Sequence, residues 1–153
     1  MLKIEQILRN EKGENVLNES FDAITIKKNV IIVKKNGFYG LYDVNTFKKI
    51  LECEWDKVEV KGNIILAYKY SQIVIFDYEG NRILPDAWSK IVLYEKGILA
   101  SKHDLQGFFR YDGSVVLECI WKRIEPLHEV LIAYMGNRTR RKLFDYDGNQ
   151  QNE

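Results

Sequence analysis

The sequence repeats with a period of about 33 residues, and this repeat constrains the architecture of the chain more than any other feature does. A large aromatic residue anchors each repeat at a nearly constant spacing, and the four anchors are Phe21, Trp55, Trp88 and Trp121. A leucine precedes each anchor by four residues: Leu17, Leu51, Leu84 and Leu117. A β-branched residue follows each anchor by three residues: Ile24, Val58, Ile91 and Ile124. The pattern predicts one repeated structural unit per period, with Trp55, Trp88 and Trp121 mostly buried in equivalent environments.

A short apolar run follows each anchor by ten to twelve residues. The four runs are Ile31-Ile32-Val33, Ile65-Leu66-Ala67, Ile98-Leu99-Ala100 and Leu131-Ile132-Ala133. Short runs of this kind, rich in β-branched residues, predict strands that are buried on both faces. A lysine lies two residues after the end of three of the four runs: Lys35, Lys69 and Lys102.

A six-residue motif, FDYEGN beginning at Phe76, recurs as FRYDGS beginning at Phe109 and as FDYDGN beginning at Phe144. Each phenylalanine is predicted to end a strand, and the acid–glycine pair after it to form a hairpin turn, because glycine adopts positive φ without steric cost. The next strand would then run towards the aromatic anchor, as in NRIL (81–84) and SVVL (114–117). The aspartate and glutamate residues of the motif are interpreted as turn formers, and its recurring tyrosines as structural residues.

About four short strands per repeat predict an all-β protein of about four 33-residue antiparallel β modules, in a single repeat domain over residues 1–153. No stretch longer than ten residues shows sustained helical periodicity. KIEQILRN (3–10) has an apolar helical face, but it precedes Gly13 where other repeats place a strand, so a strand is predicted. Propeller-like closure is favoured because it protects the edges of the sheets. An open β solenoid or meander is the alternative.

The composition of the 153-residue chain is that of a globular protein with a core, since 46% of its residues are hydrophobic. A net charge of +1 does not favour a dedicated nucleic-acid binder. The two cysteines, Cys53 and Cys119, are too few for a disulfide framework or a zinc site and indicate reduced thiols in a cytoplasmic protein. Charges run through the first residues, and the apolar runs are far shorter than the ~20 residues of a membrane helix. Neither a signal peptide nor membrane insertion is therefore predicted.

Two segments, NGFYGLYD (36–43) and ILPDAWSKI (83–91), carry a family resemblance. The chain resembles the WG-repeat (KWG/WG β-repeat) proteins of bacteria from about residue 13 to residue 149. One half of the family pattern is matched by Gly37, Tyr39, Gly40, Leu41 and Asp43. The other half is matched by Leu84, Pro85, Trp88 and Ile91, and again around Phe21 and Trp55. The Trp-Gly dipeptide never occurs, as in a divergent member. The resemblance implies an all-β binding scaffold and supplies no catalytic residues.

The sequence contains no combination of residues that is typical of an enzyme. The cysteines occupy equivalent slots two residues before an anchor, which predicts small packed side chains and not nucleophiles activated by His103 or His128. No phosphate-binding loop, dinucleotide-binding fingerprint or paired-histidine motif is present. The sequence therefore predicts a protein that is not an enzyme and that uses no cofactor.

A metal site is not predicted either. An aspartate recurs at the strand end as Asp43, Asp77 and Asp145, but the third repeat has Arg110 at this position. A set of calcium ligands would not normally include a cation. The aspartates are therefore interpreted as hydrogen-bond acceptors of turns.

Residues that break the period are the best candidates for binding, because the recurring positions serve the fold. The connection between the second and third strands is short in the middle repeats and lengthens in the last to MGNRTRRKLF (135–144). Equivalent loops of repeated modules lie on one side of a molecule. The predicted contact surface therefore comprises Lys35, Lys69, Tyr70, Lys102, His103, Arg138, Arg140 and Arg141.

These features predict a non-catalytic protein-binding repeat module of the bacterial cytoplasm. Its lysines and arginines favour a partner with an acidic surface. A small immunity or neutralising protein that covers a toxin, or a scaffold protein, is one concrete form. The alternative is a binder of nucleic acid or of a small ligand that uses the basic loop at 138–142, and a steep salt dependence would reveal nucleic-acid binding.

Overall fold

The computed structural model describes residues 5–136 and 140–152, and over this part of the chain it contains β-strands and turns but no helix. The predicted all-β class is therefore confirmed, as are its antiparallel modules. The chain divides into two compact units, which we call the first unit (Met1–Arg82) and the second unit (Ile83–Glu153). The single repeat domain and the closure of the repeats into a ring stay predictions. None of the described residues belongs to a helix that could span a bilayer.

The described residues of the first unit form two antiparallel sheets whose strands follow the order of the sequence. The four strands of one sheet are β1 (Ala23–Lys27), β2 (Val30–Lys35), β3 (Phe38–Asp43) and β4 (Lys49–Trp55). The three strands of the other sheet are β5 (Lys57–Lys61), β6 (Ile64–Lys69) and β7 (Gln72–Phe76). Gln6 and Arg9, from the predicted first strand, make isolated antiparallel bridges to Phe21 and Asn15 instead of a regular strand.

In the second unit, too, the part of the chain that the structure describes forms two antiparallel sheets with sequential strand order. One sheet consists of β8 (Lys90–Tyr94), β9 (Gly97–Lys102), β10 (Leu105–Phe109) and β11 (Val115–Trp121). The other sheet consists of β12 (Arg123–Pro126), β13 (Leu131–Tyr134), β14 (Arg141–Phe144) and β15 (Gln150–Gln151). Each described module thus has a first, a second and a third strand, and three of the four modules also have a fourth strand.

The four apolar runs form the second strand of each sheet, as predicted. In β6 and β9 all three residues of the run are buried, and in β2 and β13 the two outer residues are buried. The second strand has a hydrogen-bonded neighbour on each side and apolar side chains on both faces. This position explains why the runs are continuously apolar and do not alternate with polar residues.

The strand predicted at NRIL does not form. Arg82 makes an isolated bridge to Phe76, and residues 83–86 lie outside any strand. Pro85 has no N–H to donate, and Asp86 adopts a φ of 67°, so neither residue continues a ladder of hydrogen bonds. The prediction for SVVL is confirmed, since its last three residues begin β11.

The recurring acid–glycine motif forms turns, and in the third and fourth repeats these turns join the two strands of a hairpin, as predicted. After Phe76 the turn is closed only by the isolated bridge to Arg82. Gly80, Gly113 and Gly148 have φ values of 84°, 91° and 91°. The side chain of Asp77 accepts hydrogen bonds from the N–H groups of Glu79 and Asn81, at 2.9 Å each. Asp145 accepts the equivalent pair. The recurring acids therefore hold the turns in place.

The aromatic anchors are the most regular element of the core, and their predicted burial is confirmed. The four anchors are between 2% and 6% exposed. Each ring meets, edge to face, an aromatic ring on the third strand of the sheet that follows it. The pairs and centroid distances are Phe21–Tyr42 (5.8 Å), Trp55–Phe76 (5.5 Å), Trp88–Phe109 (5.4 Å) and Trp121–Phe144 (5.5 Å). Such pairs contribute about 0.5–1.5 kcal/mol beyond burial.

The tryptophan anchors differ in one hydrogen bond, which leads to a prediction. Trp88 Nε1 donates to the Pro85 carbonyl at 3.1 Å, whereas the buried Trp55 Nε1 has no acceptor among the described residues. Replacing Trp88 by phenylalanine is expected to cost about 1–3 kcal/mol more than replacing Trp55 by phenylalanine, because only the second change removes an unsatisfied donor. Urea unfolding of both variants measures the difference. Equal losses of stability would contradict the assignment.

Candidate functional site

The predicted contact residues of the first three repeats lie at equivalent hairpin turns between second and third strands. Lys35, Lys69 and Lys102 end β2, β6 and β9. The turns that follow are Asn36-Gly37, Tyr70-Ser71 and His103-Asp104, and both residues of each turn have positive φ. This backbone is that of the two-residue turns that match the twist of a hairpin.

The lysines that recur in the sequence contact the aromatic anchors. The Nζ atoms of Lys35, Lys69 and Lys102 lie 5.9, 6.0 and 5.2 Å from the ring centroids of Phe21, Trp55 and Trp88. A cation over an aromatic face is stabilising by about 0.5–1 kcal/mol at a partly exposed site. The contact gives these lysines a role within the fold, which accounts for their recurrence.

Two of these lysines also form ion pairs inside their own unit. Lys35 Nζ lies 3.3 Å from Glu19, and Lys102 Nζ lies 2.9 Å from Asp86. An acid this close cancels much of the field that the ammonium would project towards a partner. The recurring lysines therefore contribute less positive potential than their number in the sequence indicates.

The arginine loop belongs to the second unit and joins β13 to β14. Arg140 and Arg141 are exposed, and Arg141 pairs with Tyr134 across the hairpin. Arg138 lies outside the described residues.

Among the residues that the structure describes, Tyr70 is the most exposed of the large hydrophobic side chains, at 82%. Its φ of 53° lies in the left-handed region, which favours glycine and asparagine and is rare for bulky residues. A residue in this region is strained by about 1–3 kcal/mol. The exposed ring recovers little of this cost by packing, so Tyr70 is poorly explained by the fold alone.

Tyr70 and Lys69 line a cavity of about 370 Å³ in the first unit, which we call the aromatic pocket. Phe38, at the start of β3, contributes the second exposed aromatic ring and is 41% exposed. The remaining lining residues follow or end β4: Cys53, Glu54 and Asp56. Asp56 Oδ2 accepts the Tyr70 N–H at 3.3 Å, which ties the turn to the acidic side of the pocket.

A second cavity, of about 360 Å³, shares Phe38 and Cys53 with the aromatic pocket. Its charged groups pair with one another. The Glu19 carboxylate accepts a hydrogen bond from the Tyr42 hydroxyl (2.9 Å) and lies 3.3 Å from Lys35 Nζ and 3.6 Å from Lys49 Nζ. The hydrogen bond from Tyr42 lowers the pKa of Glu19, and the two ammonium groups lower it further. Burial raises the pKa of Tyr42, and the carboxylate raises it further.

The pair of Glu19 and Tyr42 leads to a pH-dependent prediction. Replacing Glu19 by glutamine is expected to lower the melting temperature at pH 7, because the neutral amide attracts the ammonium groups less strongly. The folded-state pKa of Glu19 lies below its ordinary value of 4.5, so this stabilisation is complete above that pH and is lost as pH falls through the folded pKa. The difference in melting temperature between wild type and variant should therefore shrink below about pH 4.

Circular dichroism melts between pH 3 and pH 7 measure this difference. Glu118→Gln, at an exposed position of β11, is the control, and its melting temperature should follow that of wild type. A Glu19→Gln difference that stays constant down to pH 3 would contradict the role given to the carboxylate.

The cysteines and histidines provide little support for catalysis. Burial raises the pKa of the Cys53 thiol and of the Cys119 thiol, whereas an activated nucleophile needs a lowered thiol pKa. His128 Nδ1 lies 2.7 Å from the carboxylate of Glu129, and both side chains are exposed. In residues 5–136 and 140–152, no group of three or more His, Cys, Asp and Glu side chains could hold a metal ion.

The structure brings together three of the predicted contact residues, namely Lys35, Lys69 and Tyr70, around two adjoining cavities of the first unit. Sequence reasoning missed three other lining residues of the aromatic pocket, which are Phe38, Glu54 and Asp56. The positions equivalent to Phe38 in the next two repeats are occupied by Gln72 and Leu105. This departure from the period was the available signal.

The second unit has a different surface at the positions that match the aromatic pocket two repeats later. Ile120 and Met135 replace Glu54 and Lys69 and are half-exposed. Lys122 replaces Asp56, and Gly136 replaces Tyr70. Glu54 and the exposed tyrosine are therefore not required by the repeat, whereas Asp56 makes the same turn hydrogen bond that Asp22 makes in the first repeat.

Comparison with protein-family models and with curated proteins finds no match. Among solved structures, the chain is similar to Kluyveromyces lactis Hsv2, with 16% identity and a TM-score of 0.40 over 76% of this chain and 42% of that one. It is also similar to Kluyveromyces marxianus Hsv2, with 14% identity and a TM-score of 0.43 over 80% of this chain and 44% of that one. The chain spans less than half of the length of both structures. These distant similarities assign neither a function nor a ring closure to this chain.

Proposed function

We propose that this protein binds another protein, without catalysis, through the aromatic pocket of its first unit. The observation that carries the proposal is the exposed ring of Tyr70, which is held at positive φ beside a second exposed ring, Phe38. Tyrosine is enriched among the residues that dominate binding energy at protein interfaces. A strained backbone at an exposed aromatic residue supports a role in binding, because folding alone does not favour it.

The size of the pocket also suits this role. A cavity of about 370 Å³ lies near the lower end of the range for small-ligand sites, and it can receive one or two side chains of a partner. The raised thiol pKa values of both cysteines support a function without nucleophilic catalysis. A small neutralising protein of a bacterial cytoplasm is one form of such a partner-binding protein.

The variant Tyr70→Asn tests the proposal, because it separates binding from folding. Asparagine tolerates the left-handed conformation better than tyrosine does, so the melting temperature should stay the same or rise. Partner affinity should fall about 30-fold or more, since a hot-spot side chain contributes about 2 kcal/mol or more. The partner is first captured from native-host lysate, identified by mass spectrometry and purified. Calorimetry then measures the melting temperature of the wild type and of the variant, and the affinity of each for the partner.

Leu127→Asn is the matched control, because Leu127 is an exposed large apolar residue of the second unit, 44% accessible. This variant should keep wild-type affinity. An unchanged affinity for Tyr70→Asn, or an equal loss in both variants, would overturn the proposal. A captured protein that binds only at low salt, and equally well to all variants, would instead indicate a non-specific electrostatic contact.

A further inference from the structure

The charges around the aromatic pocket indicate what kind of side chain can enter it. In the adjoining cavity, Glu19 lies beside Lys35 and Lys49, and Lys49 also pairs with Glu52 at 3.2 Å. These groups neutralise one another, so that cavity has little net field. The aromatic pocket itself contains two carboxylates, Glu54 and Asp56, against one ammonium, Lys69. Its charged lining is therefore negative overall.

The single ammonium of the pocket is engaged with aromatic rings. Lys69 Nζ lies 6.0 Å from the centroid of Trp55 and 5.6 Å from that of Tyr70. An incoming side chain would meet the exposed rings of Phe38 and Tyr70 and two carboxylates. The carboxylate of Asp56 already accepts the Tyr70 N–H through Oδ2, and its second oxygen adds a further acceptor. An aromatic face attracts a cation, and carboxylates accept the N–H groups of a guanidinium in a bidentate manner.

We infer that the aromatic pocket receives a basic side chain, with arginine favoured, from the partner protein. The inference rests on the proposed function and deepens it by naming the chemistry of the partner. A guanidinium would stack on Phe38 while its N–H groups meet Glu54 and Asp56, a combination that suits arginine better than lysine. The sequence favours an acidic partner because the three recurring lysines and the arginine loop are predicted to lie on one side of the molecule. The ion pairs of Lys35 and Lys49 nevertheless leave the carboxylates of this pocket dominant.

The same positions in the second unit support the specificity of this inference. There Ile120 and Lys122 replace Glu54 and Asp56, so the acidic pair is absent from the equivalent surface. Asp56 also serves the turn, because its side chain accepts the Tyr70 N–H as Asp22 accepts the Asn36 N–H in the first repeat, whereas no other repeat has an acid at the position of Glu54. A basic side chain should therefore bind at the first unit and be repelled by Lys122 at the equivalent place.

The test uses three blocked tripeptides with the full-length protein: acetyl-Gly-Arg-Gly-amide, its citrulline analogue and its glutamate analogue. Amide resonances of the protein are followed by NMR during each titration. The arginine peptide should shift the resonances of Glu54, Asp56 and Tyr70 in a saturable way. Citrulline has the shape of arginine without its charge and should bind at least ten times more weakly. The glutamate peptide should cause no saturable shift.

A double variant, Glu54→Gln with Asp56→Asn, should lose affinity for the arginine peptide about tenfold or more. Glu118→Gln, on β11, serves as the charge control and should bind as wild type does. Equal binding of the citrulline peptide, tighter binding of the glutamate peptide, or no saturable shift with arginine would overturn the inference.

The outcomes also separate this inference from the proposed function. If Tyr70→Asn no longer binds the captured partner and the arginine peptide does not bind the wild type, the inference is wrong and the proposed function stands. If the arginine peptide binds but Tyr70→Asn keeps wild-type affinity for the captured partner, the proposed function is wrong.

Discussion

Replacing Trp88 by alanine is expected to lower the free energy of unfolding by about 3–5 kcal/mol, the usual range for a buried aromatic residue. The indole is 3% exposed, and it meets Phe109 edge to face with centroids 5.4 Å apart. The change also removes the surface over which Lys102 Nζ lies, 5.2 Å from the ring centroid. Burial, ring packing and the cation contact are therefore all lost with one side chain.

Urea unfolding measured by tryptophan fluorescence and by circular dichroism tests this expectation. Tyr70→Ala is the control, because the side chain is exposed and its loss should change stability by no more than about 0.5 kcal/mol. A loss below about 1 kcal/mol for Trp88→Ala would mean that the anchors do not carry the core.

Replacing Gly80 by alanine is expected to cost about 2–6 kcal/mol, the sum of a strained backbone and an atomic overlap. The φ of Gly80 is 84°, and a Cβ atom added there would lie 2.6 Å from the Ile50 carbonyl oxygen. This oxygen belongs to the backbone of β4, so relieving the overlap requires movement of a strand. The turn glycine is therefore fixed by its neighbour as well as by its own conformation.

Gly37→Ala is a closely matched control in the same unit. Gly37 has a φ of 86°, but a Cβ atom there would meet nothing within 4 Å. Only the backbone strain remains, so the loss should be about 1–3 kcal/mol. Thermal and urea unfolding of both variants should rank Gly80→Ala as the more damaging. The reverse order would show that the packing of Gly80 against β4 is not as described.

The turn between the second and third strands illustrates how the fold and the candidate site depend on each other. Asn36-Gly37 satisfies the demand for two positive φ values with residues that accept them. Tyr70-Ser71 meets the same demand with a strained and exposed tyrosine. Departures of this kind, where local preference and structure disagree, are expected at functional positions.

Repetition made the modules predictable from the amino-acid sequence alone. The anchors, the second strands and the turn glycines must satisfy the same packing and backbone requirements in each module, so their identities recur with the period of the repeat. One misassignment, the strand at NRIL, arose where Pro85 and Asp86 interrupt the hydrogen-bond ladder. The repeat pattern does not reveal this interruption because Leu84 and Trp88 keep their places.

The candidate site was less predictable, because its properties depend on contacts between residues that are distant in the chain. Phe38 begins β3 and Tyr70 follows β6, and hairpin pairing with sheet packing brings both to one pocket. The charge of Lys35 counts for little because Glu19, which precedes the whole sheet in the sequence, lies against it. The recurring lysines and the arginine loop favour an acidic partner, while the paired groups leave a pocket in which carboxylates dominate. The sequence by itself therefore determined the modules, and only the tertiary structure decided which charges face a partner, because electrostatic fields depend on distance in space.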